Sequence, residues 1–237
     1  MSKAIRAIQA QLQVDRYYTG LLDGLYGKQT DLAIKEAIAS GKYRLGFNFD
    51  VFRNRFNKSK LTQSFVYNVN VLFNTFNDFN EQGGTNPLYV AYMLATVHHE
   101  TAATFRPLEE HGKGKGRKYG TNIDMNGTRY LGLNHIYYGR GYVQLTWLSN
   151  YLKMGNLLGI DLVNNPSEAL EAPTAAKILV IGSLGGLFTG KGLGDYITTG
   201  KATDFINARR VINGTDKAHL IANHAIKFLD CITIERL

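Results

Sequence analysis

From about residue 44 onwards, apolar residues recur at steps of three and four along almost the whole chain, so most of it is expected to bury its side chains as helices. Phe49–Phe56, Leu61–Phe79 and Pro87–His99 read as successive helices, and others are expected over 146–157, 173–187, 203–212 and 216–229. The third is the best marked. Asn86 can cap it, Pro87 suits its first turn, and Leu88, Ala91, Tyr92, Ala95 and His99 fall on one stripe. Pro173 and Thr215-Asp216 mark two of the later starts. The chain shows no internal repeat and no low-complexity linker. A mostly α fold is the expectation.

Residues 1–43 form a unit of their own pattern. Ile5, Ile8, Leu12 and Val14 give one apolar face. The run from Gly20 to Gly27 carries Asp23-Gly24 and Tyr26-Gly27, pairs that mark tight turns. Gln29 or Thr30 then opens a second helix with Leu32, Ala33, Ala37 and Ile38 inside, and Ser40-Gly41 stops it. The boundary near 43 rests on this change of pattern.

Of 237 residues, 44% are hydrophobic, enough for one sizeable core and a small accessory domain. No apolar stretch reaches the roughly 18 residues of a membrane span, so stable membrane insertion is not expected. The N-terminus lacks the continuous apolar run of a secretory signal, so if the substrate lies outside the cytoplasm, the protein is expected to be made in the cytoplasm and released by a separate pore. Cys231 is the only cysteine, which excludes an internal disulfide and a Cys-rich zinc site, and its CITI setting reads as a buried thiol. A formal net charge of +8 favours anionic partners without choosing among them. The densest basic run, Lys113, Lys115, Arg117 and Lys118 among glycines, reads either as a solvated loop or as a contact for an anionic wall. No zinc-finger, RNP or basic-region pattern supports nucleic acid.

Three features can carry chemistry. The helix over 87–99 runs into His98-His99-Glu100-Thr101. A carboxylate at a helix C-terminus meets the negative end of the dipole, which favours the protonated acid that glycoside cleavage requires; a solvated helix end explains the same residue. Glu109 and Glu110 follow Pro107, so one of them carried across a cleft completes a carboxylate pair, while both on an exposed loop is the plainer alternative. Tyr137-Tyr138-Gly139-Arg140-Gly141-Tyr142-Val143-Gln144-Leu145-Thr146-Trp147 supplies apolar faces and amides of the kind that hold sugar rings, or else a core aromatic cluster.

The order and spacing of HHETAATFRPLEE (98–110), YYGRGYVQLTWLSNY (137–151), NPSEAL (165–170) and RRVING (209–214) resemble glycoside hydrolase family 19, the chitinase-like family that also supplies many phage endolysins. The resemblance spans roughly 47–230. AIQAQL, DGLYG with Thr30, and LAIKEAI likewise resemble the peptidoglycan-binding domain of wall hydrolases. Together they imply a lysozyme-like, chitinase-like helical catalytic domain over 44–237 behind a small helical wall-binding domain over 1–43. The family resemblance implies Glu100 as general acid, Glu110 as the base that activates water, and Thr146 as a hydroxyl holding that water. It places His99, Tyr138, Arg140, Gln144, Asn150 and Asn213 at substrate positions, and Glu109 at a variable one. The implied mechanism is a single inverting displacement, with carboxyls about 6.5–9.5 Å apart and no metal or organic cofactor.

The sequence departs from the family pattern in three places. Ala102-Ala103 stand where chitinases often have two glycines, Thr215 follows Asn213-Gly214 where a second glycine is usual, and no arginine follows Asn213 until Arg236. These departures bear on chitin as substrate more than on the glutamates. A zinc peptidase is disfavoured because Ala103 occupies the second-histidine position of H-E-x-x-H, and His219 and His224 are five apart. Gly185 to Gly190-Lys191 lacks the Ser/Thr of a phosphate loop, since position 192 is Gly, and reads as a helix-ending turn. The expected protein is a monomeric endolysin cutting the β-1,4 bonds of bacterial peptidoglycan. The alternatives are a chitinase and, from another class, an inactive wall-binding or virion structural protein.

Overall fold

The computed structural model describes residues 1–81 and 84–237. Among them are eight α-helices and four short strands, a mostly α fold as the spacing predicts. The helices are α1 (Lys3–Val14), α2 (Lys28–Ala39), α3 (Phe49–Arg55), α4 (Gln63–Glu81), α5 (Pro87–Glu100), α6 (Leu148–Leu158), α7 (Ala172–Leu184) and α8 (Ala218–Leu229). The strands are β1 (Tyr43–Phe47), β2 (Leu108–Glu109), β3 (Arg140–Gly141) and β4 (Ile232–Arg236). The chain divides into two compact units, one of residues 1–96 with 180–237 and one of residues 97–179.

In the first unit, β1 and β4 pair antiparallel, with Leu45 opposite Ile234 and Phe47 opposite Ile232. An aromatic cluster fills the interior beside them. Phe52 stacks on Phe56 at 4.7 Å and on Phe65 at 4.8 Å, and Phe228 of α8 lies 4.6 Å from Phe56. Phe52 is 1% exposed, and a ring so placed is worth about 3–5 kcal/mol against alanine. Residues 1–43 belong to this unit, where α1 packs on β4 and α2 on α4.

One buried side chain organises the DGLYG turn. The Gln9 amide donates to Asp23 Oδ1 (2.9 Å) and Thr30 Oγ1 (3.0 Å) and accepts from the Gly24 amide (2.9 Å). Gly24 has φ 68°, and a Cβ there would lie 2.6 Å from the Ser2 carbonyl oxygen, so glycine is required twice over. Gly27 is instead an extended N-cap at φ −107°, and α2 starts at Lys28 rather than at Gln29 or Thr30. Ile5, Ile8, Leu12, Ala33, Ala37 and Ile38 are buried as expected, but Val14 and Leu32 are 66% and 56% exposed. Val14, the last residue of α1, lies about 200° round the helix from Leu12 and so points away from the face that Ile5, Ile8 and Leu12 bury.

Helix α5 corrects the one-stripe expectation, because it is buried all round: Val90, Ala91, Leu94, Ala95 and Val97 are all fully inaccessible. Its start is as expected, with Asn86 Oδ1 accepting from the amides of Leu88 (2.9 Å) and Tyr89 (3.0 Å). The helix expected over 203–212 is a short 3-10 helix, Asn207–Val211. The Arg209 carbonyl takes the amides of both Ile212 and Asn213, which tightens the coil just before Gly214. Helix α7 stops at Leu184, three residues early, because Gly186 turns left-handed at φ 65°. Gly190 donates back to the Gly186 carbonyl there (2.8 Å), which makes the Gly185–Lys191 segment a turn.

In the second unit, β2 and β3 pair antiparallel with Glu109 opposite Arg140. The NPSEAL segment forms a 3-10 helix, Pro166–Leu170, against this ribbon. A Cβ on Gly141 would lie 2.8 Å from the Ala169 carbonyl, so the two motifs meet backbone to backbone.

Candidate functional site

Glu100 is the last residue of α5, and the turn after it is a helix C-cap of the Schellman type. The Ala103 amide donates to the His98 carbonyl (2.7 Å) and the Ala102 amide to the His99 carbonyl (3.3 Å). Thr101 is fully buried and locks the turn, its hydroxyl donating to the Val97 carbonyl (2.7 Å) and accepting from the Phe105 amide (3.0 Å). Ala102 and Ala103 have φ of 48° and 63°. Two alanines therefore keep the left-handed geometry that glycine adopts freely, at about 1–2 kcal/mol each. Against the entropy that glycine adds to the unfolded chain, about 0.5–1 kcal/mol remains in favour of relief. Ala102→Gly and Ala103→Gly should each raise Tm by about 1–3 °C, read by differential scanning calorimetry beside Ala95→Gly in the middle of α5. A fall in Tm matching that of Ala95→Gly would refute the strained turn.

The two adjacent glutamates separate clearly. Successive residues of an extended segment point to opposite faces, and these two take different partners. Glu110 is half-buried; its Oε1 accepts from the Tyr119 hydroxyl (2.8 Å) and its Oε2 from the Gly139 amide (3.0 Å), while its own amide donates to the Gly139 carbonyl (2.8 Å). Glu109 is exposed; it accepts a short hydrogen bond from the Tyr138 hydroxyl and pairs with Lys113 Nζ at 3.4 Å. The Tyr138 bond, with help from Lys113 and Arg140, holds the Glu109 carboxyl below the usual carboxylate range despite some desolvation. Burial, and then the bond to Glu110, raises the Tyr119 phenol. Burial, and then the bond to Glu109, raises the Tyr138 phenol. Both phenols therefore remain donors to their carboxylates across neutral pH.

The segment after Tyr137 is a closed loop. Arg140 and Leu145 exchange backbone hydrogen bonds (3.2 and 2.9 Å), and the Trp147 amide donates to the Tyr137 carbonyl (2.8 Å). Gln144, left-handed at φ 53°, donates its amide to the carbonyls of Leu108 (3.0 Å) and Gly141 (3.2 Å), bracing the tip against β2. Arg140 is 6% exposed and its guanidinium lies 3.7 Å from the Tyr138 ring centre. It donates to the Ile136 carbonyl (3.2 Å) and the Tyr151 hydroxyl (3.0 Å). Gln144 spends its amide donors and Arg140 its Nη1 donors on the protein, while Arg140 Nε is buried without a hydrogen-bond partner among the described residues, and Thr146, half-buried, keeps its hydroxyl out of the described hydrogen bonds. The Asn150 amide donates to the Thr146 carbonyl (2.9 Å).

The second unit therefore contains His99, Glu100, Glu110, Tyr138, Arg140, Gln144, Thr146 and Asn150; Arg140 stacks directly on Tyr138, while Glu110 is held to the same loop through Gly139, and Gln144 through Leu108 and Gly141. Asn213 lies in the first unit, exposed, in the turn after the 3-10 helix. Sequence reasoning missed Tyr119 and the Gly139 amide. The only signal for Tyr119 was an aromatic ending the glycine-lysine run; a backbone amide leaves no signal at all. Tyr119 is itself backed by the Trp147 ring, edge to face at 5.7 Å.

Residues 47–178 match the glycoside hydrolase family described as chitinase class I. Among curated relatives, the endochitinase At2g43610 of Arabidopsis thaliana is 36% identical over 87 residues, covering 37% of this chain and 28% of that protein. Chitinase 8 of Oryza sativa subsp. japonica is 35% identical over 97 residues, covering 39% and 34%. The chain thus spans about a third of the length of these relatives. Among solved structures, chitinase C of Streptomyces griseus HUT6037 aligns over 75% of this chain and 72% of its own, at 19% identity and a TM-score of 0.46.

Proposed function

Since the chain belongs to glycoside hydrolase family 19, the class I chitinase family, we propose that it hydrolyses the β-1,4 bonds of bacterial peptidoglycan as an endolysin-type glycosidase. The observation that carries this reading is the mounting of Glu110, with each carboxylate oxygen held by one donor, Tyr119 or Gly139. Two fixed donors leave the carboxylate in one orientation, as a base that must face a single water requires. Glu100, at the end of α5, protonates the leaving oxygen. Glu110 takes a proton from the water that attacks the opposite face of the sugar, with inversion. The Thr146 hydroxyl, which makes no hydrogen bond among the described residues, holds that water. Tyr138, His99, Asn150, Arg140 and Gln144 contribute to sugar binding, and Arg140 Nη1 and the Gln144 amide also fix the loop that presents them.

Peptidoglycan is favoured over chitin by the +8 charge and by residues 1–43, which we take as the wall-binding part, with 44–237 as the hydrolytic part. A groove of about 620 Å³ borders the DGLYG turn, lined by Tyr18, Asp23, Leu25, Tyr26, Leu88 and Lys201; Leu25 on that turn is 55% exposed, and Leu21 just before it is 83% exposed. The proposed place of action is the cell wall. The chitin reading draws its support from the activity named for the plant relatives.

Purified Gram-negative peptidoglycan should release new reducing ends, with little or none from crystalline chitin. Leu21→Ser/Leu25→Ser should weaken retention on insoluble walls about tenfold while turnover of soluble fragments persists. Free amino groups without reducing ends would identify a peptidase or amidase instead. Undiminished retention would remove residues 1–43 from wall binding.

A further inference from the structure

The Gly112–Lys118 run is a wound loop closed on the site. Gly112, Gly114 and Gly116 are left-handed at φ 79°, 75° and 78°, and Lys113 between the first two is left-handed as well at φ 52°. Successive turns link the Lys115 amide to the Gly112 carbonyl and the Arg117 amide to the Gly114 carbonyl, both at 2.9 Å. Gly114 is buried, and a Cβ there would lie 2.7 Å from Gly120 Cα and 3.1 Å from Tyr138 Cβ. The loop leaves from Glu110 and returns through Tyr119, whose hydroxyl donates back to Glu110. Its basic side chains therefore start from a backbone fixed at the edge of the carboxylate site, in place of a free tether.

The sign of the charge there is what matters. Glu109 and Glu110 together repel any acidic polymer. Lys113 offsets Glu109 through their ion pair. Lys115, Arg117 and Lys118 are exposed and form no ion pair among the described residues. The Arg117 charge reaches Tyr119, where it opposes the rise of the phenol. Three uncompensated cations thus reverse the local sign beside the base. A neutral sugar chain gains nothing from them, whereas a chain carrying carboxylates does.

We propose that this loop is the specificity element of the site, with Lys115, Arg117 and Lys118 receiving carboxylates carried on the sugar chain. The enzyme then selects a glycan bearing acidic peptide or lactyl substituents over a neutral glycan of the same backbone. This rests on the peptidoglycan reading above and gives it a physical cause.

The test uses the full chain and the variant Lys115→Gln/Arg117→Gln/Lys118→Gln. The substrates are soluble peptidoglycan strands with intact stems, the same strands with their carboxyls amidated, and neutral chitin oligosaccharides. At low salt, wild type should prefer intact to amidated strands by about tenfold in kcat/KM, and the variant should lose most of that preference. Salt of about 0.5 M should erase most of the wild-type preference as well, because exposed charges are screened. Equal rates of wild type and variant on intact strands, with peptidoglycan still cleaved, would overturn the loop's role alone. Wild type that cleaves chitin oligosaccharides but neither kind of strand would overturn the peptidoglycan reading and this inference with it. If the variant does not fold, the wild-type comparison of intact with amidated strands still decides, since equal rates there refute carboxylate selection.

Discussion

Glu110→Gln should lower kcat by about 10²–10⁴, the usual cost of losing a general base, while wall binding persists. The change keeps the geometry for a specific reason. A glutamine oxygen can accept from the Gly139 amide, and its NH₂ can donate to the Tyr119 oxygen once that hydroxyl turns. The side chain keeps its place and loses only its capacity to take a proton. Glu100→Gln should be at least as damaging, because the leaving oxygen then departs unprotonated. Glu109→Gln should stay within about threefold of wild type: it retains an acceptor for Tyr138 and gives up only an exposed pair with Lys113, worth about 0–1 kcal/mol. Steady-state kinetics on soluble fragments decide the matter, with circular dichroism and Tm showing that each variant is folded. A dead Glu109→Gln beside a nearly normal Glu110→Gln would move the base by one residue. Two nearly normal variants would remove the base from this strand altogether.

The helices were legible because burial on one side of a 3.6-residue repeat leaves its period in the sequence. Their ends were less so. Leu184 and Trp147 are set by backbone turns at Gly186 and at Trp147 itself, where φ is 65° and 71°. The β1–β4 pair was invisible, since each strand is five residues long and its partner lies at the other end of the chain. At the site, residue types were legible and the contacts that hold them were not. Arg140 and Gln144 stand out as a motif of sugar-binding character, and the structure adds that Arg140 Nη1 and the Gln144 amide hold the carbonyls of Ile136, Leu108 and Gly141. A motif records which side chains a loop requires, whether they meet a ligand or hold the loop. The choice between Glu109 and Glu110 came from resemblance alone. The structure adds the partners that make the two residues different.

Gly139→Ala should cut kcat by about 10–100-fold with only a small loss of Tm. Gly139 is not left-handed, so its backbone accepts alanine without strain. The new methyl is the difficulty: it would lie 2.7 Å from Gln144 Oε1 and 3.3 Å from Glu110 Cβ. Gln144 cannot swing aside freely, because its amide holds the carbonyls of Leu108 and Gly141. Glu110 cannot stay where it is if Gly139 retreats, because the Gly139 amide is one of its two anchors. Some displacement of the carboxylate follows whichever side yields, and an error approaching 1 Å in a reacting group costs on the order of 10²-fold. The loss should fall on kcat, with KM changing less than about threefold, since no sugar contact is removed. A variant with normal kcat would show that Glu110 is not positioned by this turn. A loss confined to KM would assign the Tyr138–Arg140 segment to binding alone.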